Sequence, residues 1–434
     1  MNICDDTKPN MADPTAEINI DSLPYDCLQA IFKRVPMAQL IFLHEVCPHW
    51  NTVLTEFLGG YVELSLFKRN HQIMGIDVKT YEKDCLEEEP YPSLGAAEIE
   101  MPDFDWNDDQ NEAFTRIYNR LPQVFRTANI RKLEICGVSF PTAQQENFLS
   151  LLTNLEHLSI HLDNLPYKKS RSIVHHIIQL TTRTHALRHL MISLGDFNRF
   201  DININDNELG KLCINKRILN SLQSFYICDY SNFWGGRNII KLNTNTLFRN
   251  LRHLAVAHNN CFFRYLSRLT SQENIIGAPQ HSALLSLTHL TLHHKYLEPI
   301  TDISLTSFVN LKKLTLSFST WPNRGELSSF ILIYLTNVPA SLKHFCLDIV
   351  PNTLSFDFFP PNFAANRLPP IQSFETIEID CGRINDDEVA LCGLFDVFKN
   401  WSKLRINERH YVADESKLEG YRFSHIAKLP RHNM

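Results

Sequence analysis

Residues 251–256 read LRHLAV, and the same order, Leu-x-x-Leu-x-Leu with other apolar residues allowed, recurs along most of the chain. The pattern starts at Ile130, Leu155, Leu187, Leu222, Leu251, Leu287, Leu311, Leu342, Phe374 and Trp401, with an earlier copy, YVELSL, at Tyr61. The ten main starts are separated by 24 to 36 residues. One match is weak, but ten in order predict repeated units that bury each other's apolar sides.

Each copy of the pattern predicts a short strand, and helical spacing at 170–185, 327–338 and 386–401 predicts helices between strands. A strand followed by a helix at this period resembles the leucine-rich repeat family. The resemblance implies an α/β solenoid with parallel strands on its concave face and helices on its convex face. Unequal spacing, and a family-type asparagine only at Asn259, predict an irregular solenoid.

The third, fifth and seventh positions of each unit share one strand face, which the resemblance places on the concave side. Five of the ten residues at the third position are histidine: His157, His189, His253, His289 and His344. Such a column predicts a weakly basic, pH-sensitive stripe. The alternative is that histidine is simply frequent at this position of the repeat and that these side chains are solvated without a function.

Candidate substrate contacts are taken from this face and from an aromatic group near the middle of the chain. They are His189, Tyr226, Tyr230, Trp234, His253, His289, Asp348 and Glu378. Tyrosine and tryptophan are included because they dominate interface hot spots. The alternative is that these aromatic residues pack within their own loop, SNFWGGR at 231–237.

A second pattern precedes the repeats, since 19 of the 32 residues from Leu23 to Leu54 are apolar. Leu28, Ile31 and Phe32 follow helical spacing, a second helical set runs from Leu40 to Trp50, and Pro48 predicts a break followed by a third helix. Three short helices cannot bury this much apolar surface among themselves. They therefore need a partner or the following domain.

The order Leu-Pro-x-Asp-x-Leu-x-x-Ile-Phe, then Leu, then Val-Cys-x-x-Trp resembles the F-box. In that family the helices dock on the Skp adaptor subunit of a cullin–RING ubiquitin ligase. By position, the resemblance assigns docking to Leu23, Pro24, Leu28, Ile31, Phe32, Leu40, Val46 and Trp50. Asp26 stands where glutamate is usual, Gln39 where aspartate is usual, and Pro48 where arginine is common.

Composition and charge limit the class of partner and the cellular compartment that can be expected. The net charge of -6 disfavours nucleic acid as a partner, and 12 of the acidic residues fall within 82–112. That segment is interpreted as a mobile insertion that either attracts a basic substrate or only solvates a loop. Eleven cysteines without a CxxC pair, no signal peptide and no membrane span predict a cytoplasmic or nuclear protein.

The predicted organisation is a disordered tail at 1–17, an F-box at 18–58, a first strand with the acidic insertion at 59–125, the repeats at 126–410 and a tail at 411–434. No nucleotide-binding, hydrolase or metalloprotease motif occurs. His157/His161 and His289/His293 share strand faces without a tight ligand cluster, so neither metal nor cofactor is expected. Two hypotheses remain: a non-catalytic substrate receptor of an SCF-type ligase, or a repeat scaffold that the helices only cap.

Overall fold

The computed structural model describes residues 23–68, 96–101, 112–137, 148, 152–162, 184–194, 220–229, 249–257, 266, 285–294, 304–318, 338–349, 374–381, 401–406 and 409–412. The helices are α1 (Tyr25–Phe32), α2 (Met37–Leu43), α3 (Pro48–Gly59) and α4 (Glu112–Val124), with a 3₁₀ turn at Leu305–Ser307. No helix among these residues is long and apolar enough to cross a bilayer.

The described strands form one open sheet. They are β1 (Glu63–Lys68), β2 (Ala96–Met101), β3 (Lys132–Cys136), β4 (His157–Leu162), β5 (His189–Leu194), β6 (Ser224–Asp229), β7 (His253–Ala257), β8 (His289–His294), β9 (Lys313–Phe318), β10 (His344–Ile349), β11 (Phe374–Cys381), β12 (Trp401–Ile406) and β13 (Arg409–Val412). From β3 to β13 the spatial order follows the sequence, and β1 and β2 complete the other end in the order β3-β1-β2. All described pairings are parallel except β12 with β13.

All ten strands predicted from the repeat are confirmed, as is the earlier strand after Tyr61. Their register aligns equivalent repeat positions, so that Leu158 of β4 faces Leu133 on one side and Leu190 on the other. The fourth and sixth positions, which we call the leucine face, are buried in every described repeat from β3 to β10. This continuous apolar layer is the core that stacking of the repeats produces.

Neighbouring repeats are also joined before each strand begins. The N–H groups of Glu156 and His157 both donate to the carbonyl of Arg131, and the N–H groups of Arg188 and His189 both donate to that of Glu156. The same forked bond recurs at each parallel junction as far as β11. The units are therefore equivalent in backbone geometry although their spacing varies.

The acidic segment does not fit the interpretation of a mobile insertion over its whole length. Residues 96–101 form β2, which pairs with β1 at the edge of the sheet, and residues 112–124 form α4. Ala97, Ile99 and Met101 are buried while Glu98 and Glu100 are exposed, which is the alternation of a half-buried strand. The high acid content of the segment concealed this short apolar pattern.

The C-terminal boundary also needs correction, because β13 continues to Val412 and pairs antiparallel with β12. Its four residues lack the repeat pattern, so the prediction of a tail from residue 411 missed it. The predicted tail at 1–17 lies outside the described residues. So do most of residues 170–185, 327–338 and 386–401, where helices were predicted.

Candidate functional site

The three N-terminal helices pack on each other through aromatic side chains. Leu28 and Phe32 of α1 are buried, and the ring of Phe32 lies 5.7 Å from that of Trp50 and 6.0 Å from that of Phe57, both on α3. Leu40 of α2 is buried as well. Four of the predicted docking residues therefore belong to the buried core of the helical unit: Leu28, Phe32, Leu40 and Trp50.

The other predicted docking residues are accessible. Ile31 is 37% exposed and Val46 is 48% exposed, while Pro24 is exposed and Leu23 is half-buried. Tyr25, which sequence reasoning missed, is 39% exposed. Only Leu285 and Val309 match these values among the large apolar residues that the structure describes. The accessible apolar surface therefore concentrates on α1 and on the turn after α2.

Local chemistry explains where these helices begin. Pro48 occupies the first turn of α3, where its missing N–H costs nothing, and the Cys47 sulfur accepts a hydrogen bond from the Trp50 N–H at 3.4 Å. The predicted break before Pro48 is confirmed. By contrast, α2 has no acidic residue in its first turn and no side-chain cap, so Gln39 leaves the helix dipole unopposed there.

The helical unit contacts α4, and its helix α2 also packs directly on β2. The Arg120 guanidinium forms an ion pair with Glu45 and lies 4.5 Å from the centre of the Phe42 ring. The Thr127 hydroxyl, just after α4, donates to the carbonyl of Thr55 on α3 at 3.0 Å. Glu45, Phe42 and Thr55 of the helical unit therefore contact Arg120 and Thr127, while Ile31 and Val46 stay accessible.

The third, fifth and seventh repeat positions form the opposite side of the sheet, which we call the histidine face. Paired histidines stack on adjacent strands: the rings of His157 and His189 are 3.9 Å apart, and those of His253 and His289 are 4.3 Å apart. His344 is half-buried, and its Nδ1 lies 2.7 Å from the Thr376 hydroxyl. The column is therefore neither fully solvated nor isolated.

Burial keeps the imidazoles of His157, His189 and His253 neutral. It lowers the pKa of His157 to about 2, with smaller contributions from His189 and Lys132. Burial likewise lowers the pKa of His189 to about 4 and of His253 to about 3. The expectation of a weakly basic stripe is therefore wrong for these three histidines, because desolvation disfavours the charged form.

The fifth and seventh positions near the middle of the sheet are closed to solvent. Tyr226 is fully buried between Met191 and Ala255, its register neighbours on β5 and β7. A side chain with no exposed surface cannot contact a substrate in this conformation. The prediction that Tyr226 is a substrate contact is therefore wrong, and Tyr226 is a core residue. Period-2 alternation assigned its face correctly but could not show that the face is covered there.

The remaining candidate contacts differ in accessibility. His189, His253, His289, Asp348 and Glu378 are half-buried, and Asp348 accepts a hydrogen bond from the Ser317 hydroxyl at 2.9 Å. Tyr230 and Trp234 lie outside the described residues. Among the described residues, the histidine face therefore keeps accessible surface at most of its third positions, at the fifth positions of β3 and of β8 to β11, and at Asp348.

Three potential metal ligands meet at the β3–β4 end of this face. Glu134 and Cys136 are two residues apart on β3, and His161 is the register neighbour of Cys136 on β4. Their ligand atoms all lie within 4.8 Å of one another. The expectation that no tight cluster forms is therefore wrong, because it compared histidines within one strand and overlooked ligands on adjacent strands.

The F-box domain matches the chain over residues 20–58. This range contains α1 and α2 and all of α3 except its last residue, Gly59. No curated protein matches the chain. The match thus covers the helical unit, and the described sheet lies beyond it.

Proposed function

We propose that this chain, which carries an F-box domain at residues 20–58, is the substrate-recognition subunit of an SCF-type ubiquitin ligase. The F-box domain itself supports a role in that pathway. The finer proposal is that the helices dock on a Skp-type adaptor, and through it on a cullin–RING ligase, while the repeats hold a protein substrate. The cytoplasm or the nucleus is the proposed place of action.

The observation that carries the proposal is the accessible apolar surface of the matched helices. Ile31 and Val46 stay exposed although α1 packs on α3 and Arg120 of α4 contacts Glu45 and Phe42. If the helices only capped the repeats, these side chains would be expected to be covered by the sheet. An exposed apolar patch instead favours a protein partner.

The repeats are proposed to form a leucine-rich-repeat solenoid. Support comes from the ten strands at the repeat positions, their parallel order and the forked backbone bond at each junction. The proposed substrate surface is the accessible part of the histidine face, with His189, His253, His289, Asp348 and Glu378 as contacts. Trp234 and Tyr230 remain proposed contacts outside the described residues.

The proposed contribution to ubiquitin transfer is proximity. A receptor that holds substrate beside a ligase raises its effective concentration without supplying catalytic groups. The chain is accordingly proposed to be a non-catalytic adaptor. The runner-up is a repeat scaffold outside ubiquitin chemistry, for which the same helices would serve as a cap.

The first test is co-purification of the full chain with a Skp-type adaptor, followed by measurement of Kd. Wild type should bind, and Val46→Asp should weaken binding at least about tenfold, because a charge would be desolvated in the apolar contact. The matched control is Val309→Asp, since Val309 is 47% exposed and precedes β9, outside the F-box. This control should bind like wild type.

Two results would contradict the docking proposal. Absence of binding by a folded wild-type chain would favour the scaffold, and equal binding by wild type and Val46→Asp would exclude this surface as the contact. Leu23→Ala with Pro24→Ala provides a second variant at the other end of the predicted set. Phe32→Ala is unsuitable as a docking probe, because removing a fully buried ring costs about 3–5 kcal/mol of stability.

A further inference from the structure

The Glu134, Cys136 and His161 cluster has the donor set of a transition-metal site. A thiolate and an imidazole favour zinc, whereas calcium and magnesium require several oxygen ligands. Zinc sites use cysteine, histidine and carboxylate ligands in tetrahedral geometry. We infer that Glu134, Cys136 and His161 bind one Zn²⁺ ion, with the fourth position left for water.

The distances suit this coordination. With ordinary zinc–ligand bonds of about 2.0–2.3 Å, two tetrahedral ligands lie roughly 3.3–3.6 Å apart. The Cys136 sulfur is 3.4 Å from Oε1 of Glu134, and Nε2 of His161 is 4.0 Å from the same oxygen. The first pair already has the required separation, and the other pairs, which lie within 4.8 Å, would have to shorten on zinc binding.

The charges also favour zinc in this position. His161 is fully buried, Cys136 is 7% exposed and the Glu134 side chain is 24% exposed. An uncompensated dication would be costly in such surroundings. A thiolate and a carboxylate together carry two negative charges, so with neutral imidazole the bound site has no net charge.

The backbone and a neighbouring strand hold the ligands in place. The Ser65 hydroxyl on β1 donates to Oε2 of Glu134 at 3.2 Å and leaves Oε1 toward Cys136 and His161. Gly137 has a φ of 64°, a left-handed conformation that glycine adopts readily, and its N–H donates to the His161 carbonyl at 2.7 Å. The two ligand-bearing strands are thus tied directly beside the cluster.

Zinc here would join β3 to β4, which lie inside β1 and the edge strand β2. The inference does not depend on the proposed ligase role, because it rests on three side chains of the sheet. Without metal, the alternative is an ordinary polar contact in which the Cys136 thiol donates to Glu134. The two alternatives differ in stoichiometry, spectrum and response of the melting temperature to zinc.

The experiment uses the full chain, freed of metal by a chelator and titrated with Zn²⁺ alone, and with Co²⁺ as a spectroscopic probe. One equivalent of zinc should bind and raise Tm, since a ligand that binds only the folded state stabilises it. Co²⁺ should give a thiolate charge-transfer band and tetrahedral ligand-field bands. Cys136→Ser should abolish the charge-transfer band, and Ser65→Ala should weaken zinc binding about tenfold.

Controls separate this site from the other thiols, since the chain has eleven cysteines. Cys228→Ser changes a fully buried cysteine at the same repeat position on β6, with Ser193 and Ala257 as its neighbours, and should retain the band. If Cys136→Ser does not fold, His161→Gln should change the cobalt spectrum and Ser65→Ala should weaken zinc binding, both with every thiol present. Less than one equivalent of zinc on folded wild type, or a band unchanged in Cys136→Ser and His161→Gln, would overturn the inference.

Discussion

At the scale of single residues, Gly59 and Gly60 follow each other at the end of α3 but face different surroundings. A Cβ added at Gly59 would lie 2.8 Å from the Thr127 hydroxyl oxygen, whereas one at Gly60 would have no neighbour within 4 Å. That hydroxyl donates to the carbonyl of Thr55, so moving it away loses a hydrogen bond. Gly59→Ala should therefore lower the free energy of unfolding by about 1–2 kcal/mol in chemical denaturation.

Gly60→Ala is the matched control for this prediction. Gly60 has φ -79° and ψ -7°, which alanine adopts without strain, so the stability should be unchanged or rise by up to about 1 kcal/mol. Adding Thr127→Ala to Gly59→Ala should recover part of the loss, because the clashing oxygen is then absent. Equal effects of the two glycine substitutions would contradict this account.

At the scale of elements, the stacked histidines of β4 and β5 make the sheet sensitive to acid. Burial lowers the pKa of His157 from 6.5 to about 2, so the unfolded chain binds more protons than the folded chain between these values. The stabilising difference is fully present above pH 6.5 and is lost as the pH falls toward 2. At pH 5, His157 alone should account for a loss on the order of 2 kcal/mol.

The measurement compares denaturation midpoints at pH 7.5 and pH 5.0. His157→Gln cannot take up a proton, so this variant should lose less stability than wild type over the same interval. The comparison variant is His185→Gln, which replaces an exposed histidine in the turn before β5. If the stability of His157→Gln depended on pH as strongly as that of wild type, the prediction would be contradicted.

At the scale of the whole molecule, α4 packs against α2 and α3 of the helical unit. Arg120 combines an ion pair with Glu45 and a cation–π contact with Phe42, and its side chain is only 13% exposed. Arg120→Ala should lower the free energy of unfolding by about 1–3 kcal/mol. Amide hydrogen exchange should rise in α2 and stay unchanged in β9, since the lost contacts lie at this junction.

Arg126→Ala provides the comparison, because Arg126 is exposed in the turn after α4. Its removal should change stability by less than about 0.5 kcal/mol. Uniformly faster exchange over the whole sheet in Arg120→Ala would show that the arginine supports the core rather than the junction.

Much of the architecture was predictable because its signals are local. The repeat located ten strands, and helical spacing with Pro48 located three helices, since period and backbone restriction act within a few residues. The short strand β2 was missed because its alternating apolar residues lie within a segment rich in acidic residues. At the candidate sites, residue identity was predictable, but accessibility was not.

The sequence by itself determined the positions of the repeated strands, their buried leucine face and the F-box-like helices, because each follows from apolar residues repeated at short range, whereas parallel order was implied by the family resemblance. Only the tertiary structure decided that Tyr226 is buried, that Ile31 and Val46 stay exposed, and that Cys136 and His161 become neighbours. Burial, exposure and side-chain proximity depend on which segments pack together. Residues one repeat apart in sequence become neighbours only when their strands pair in the sheet.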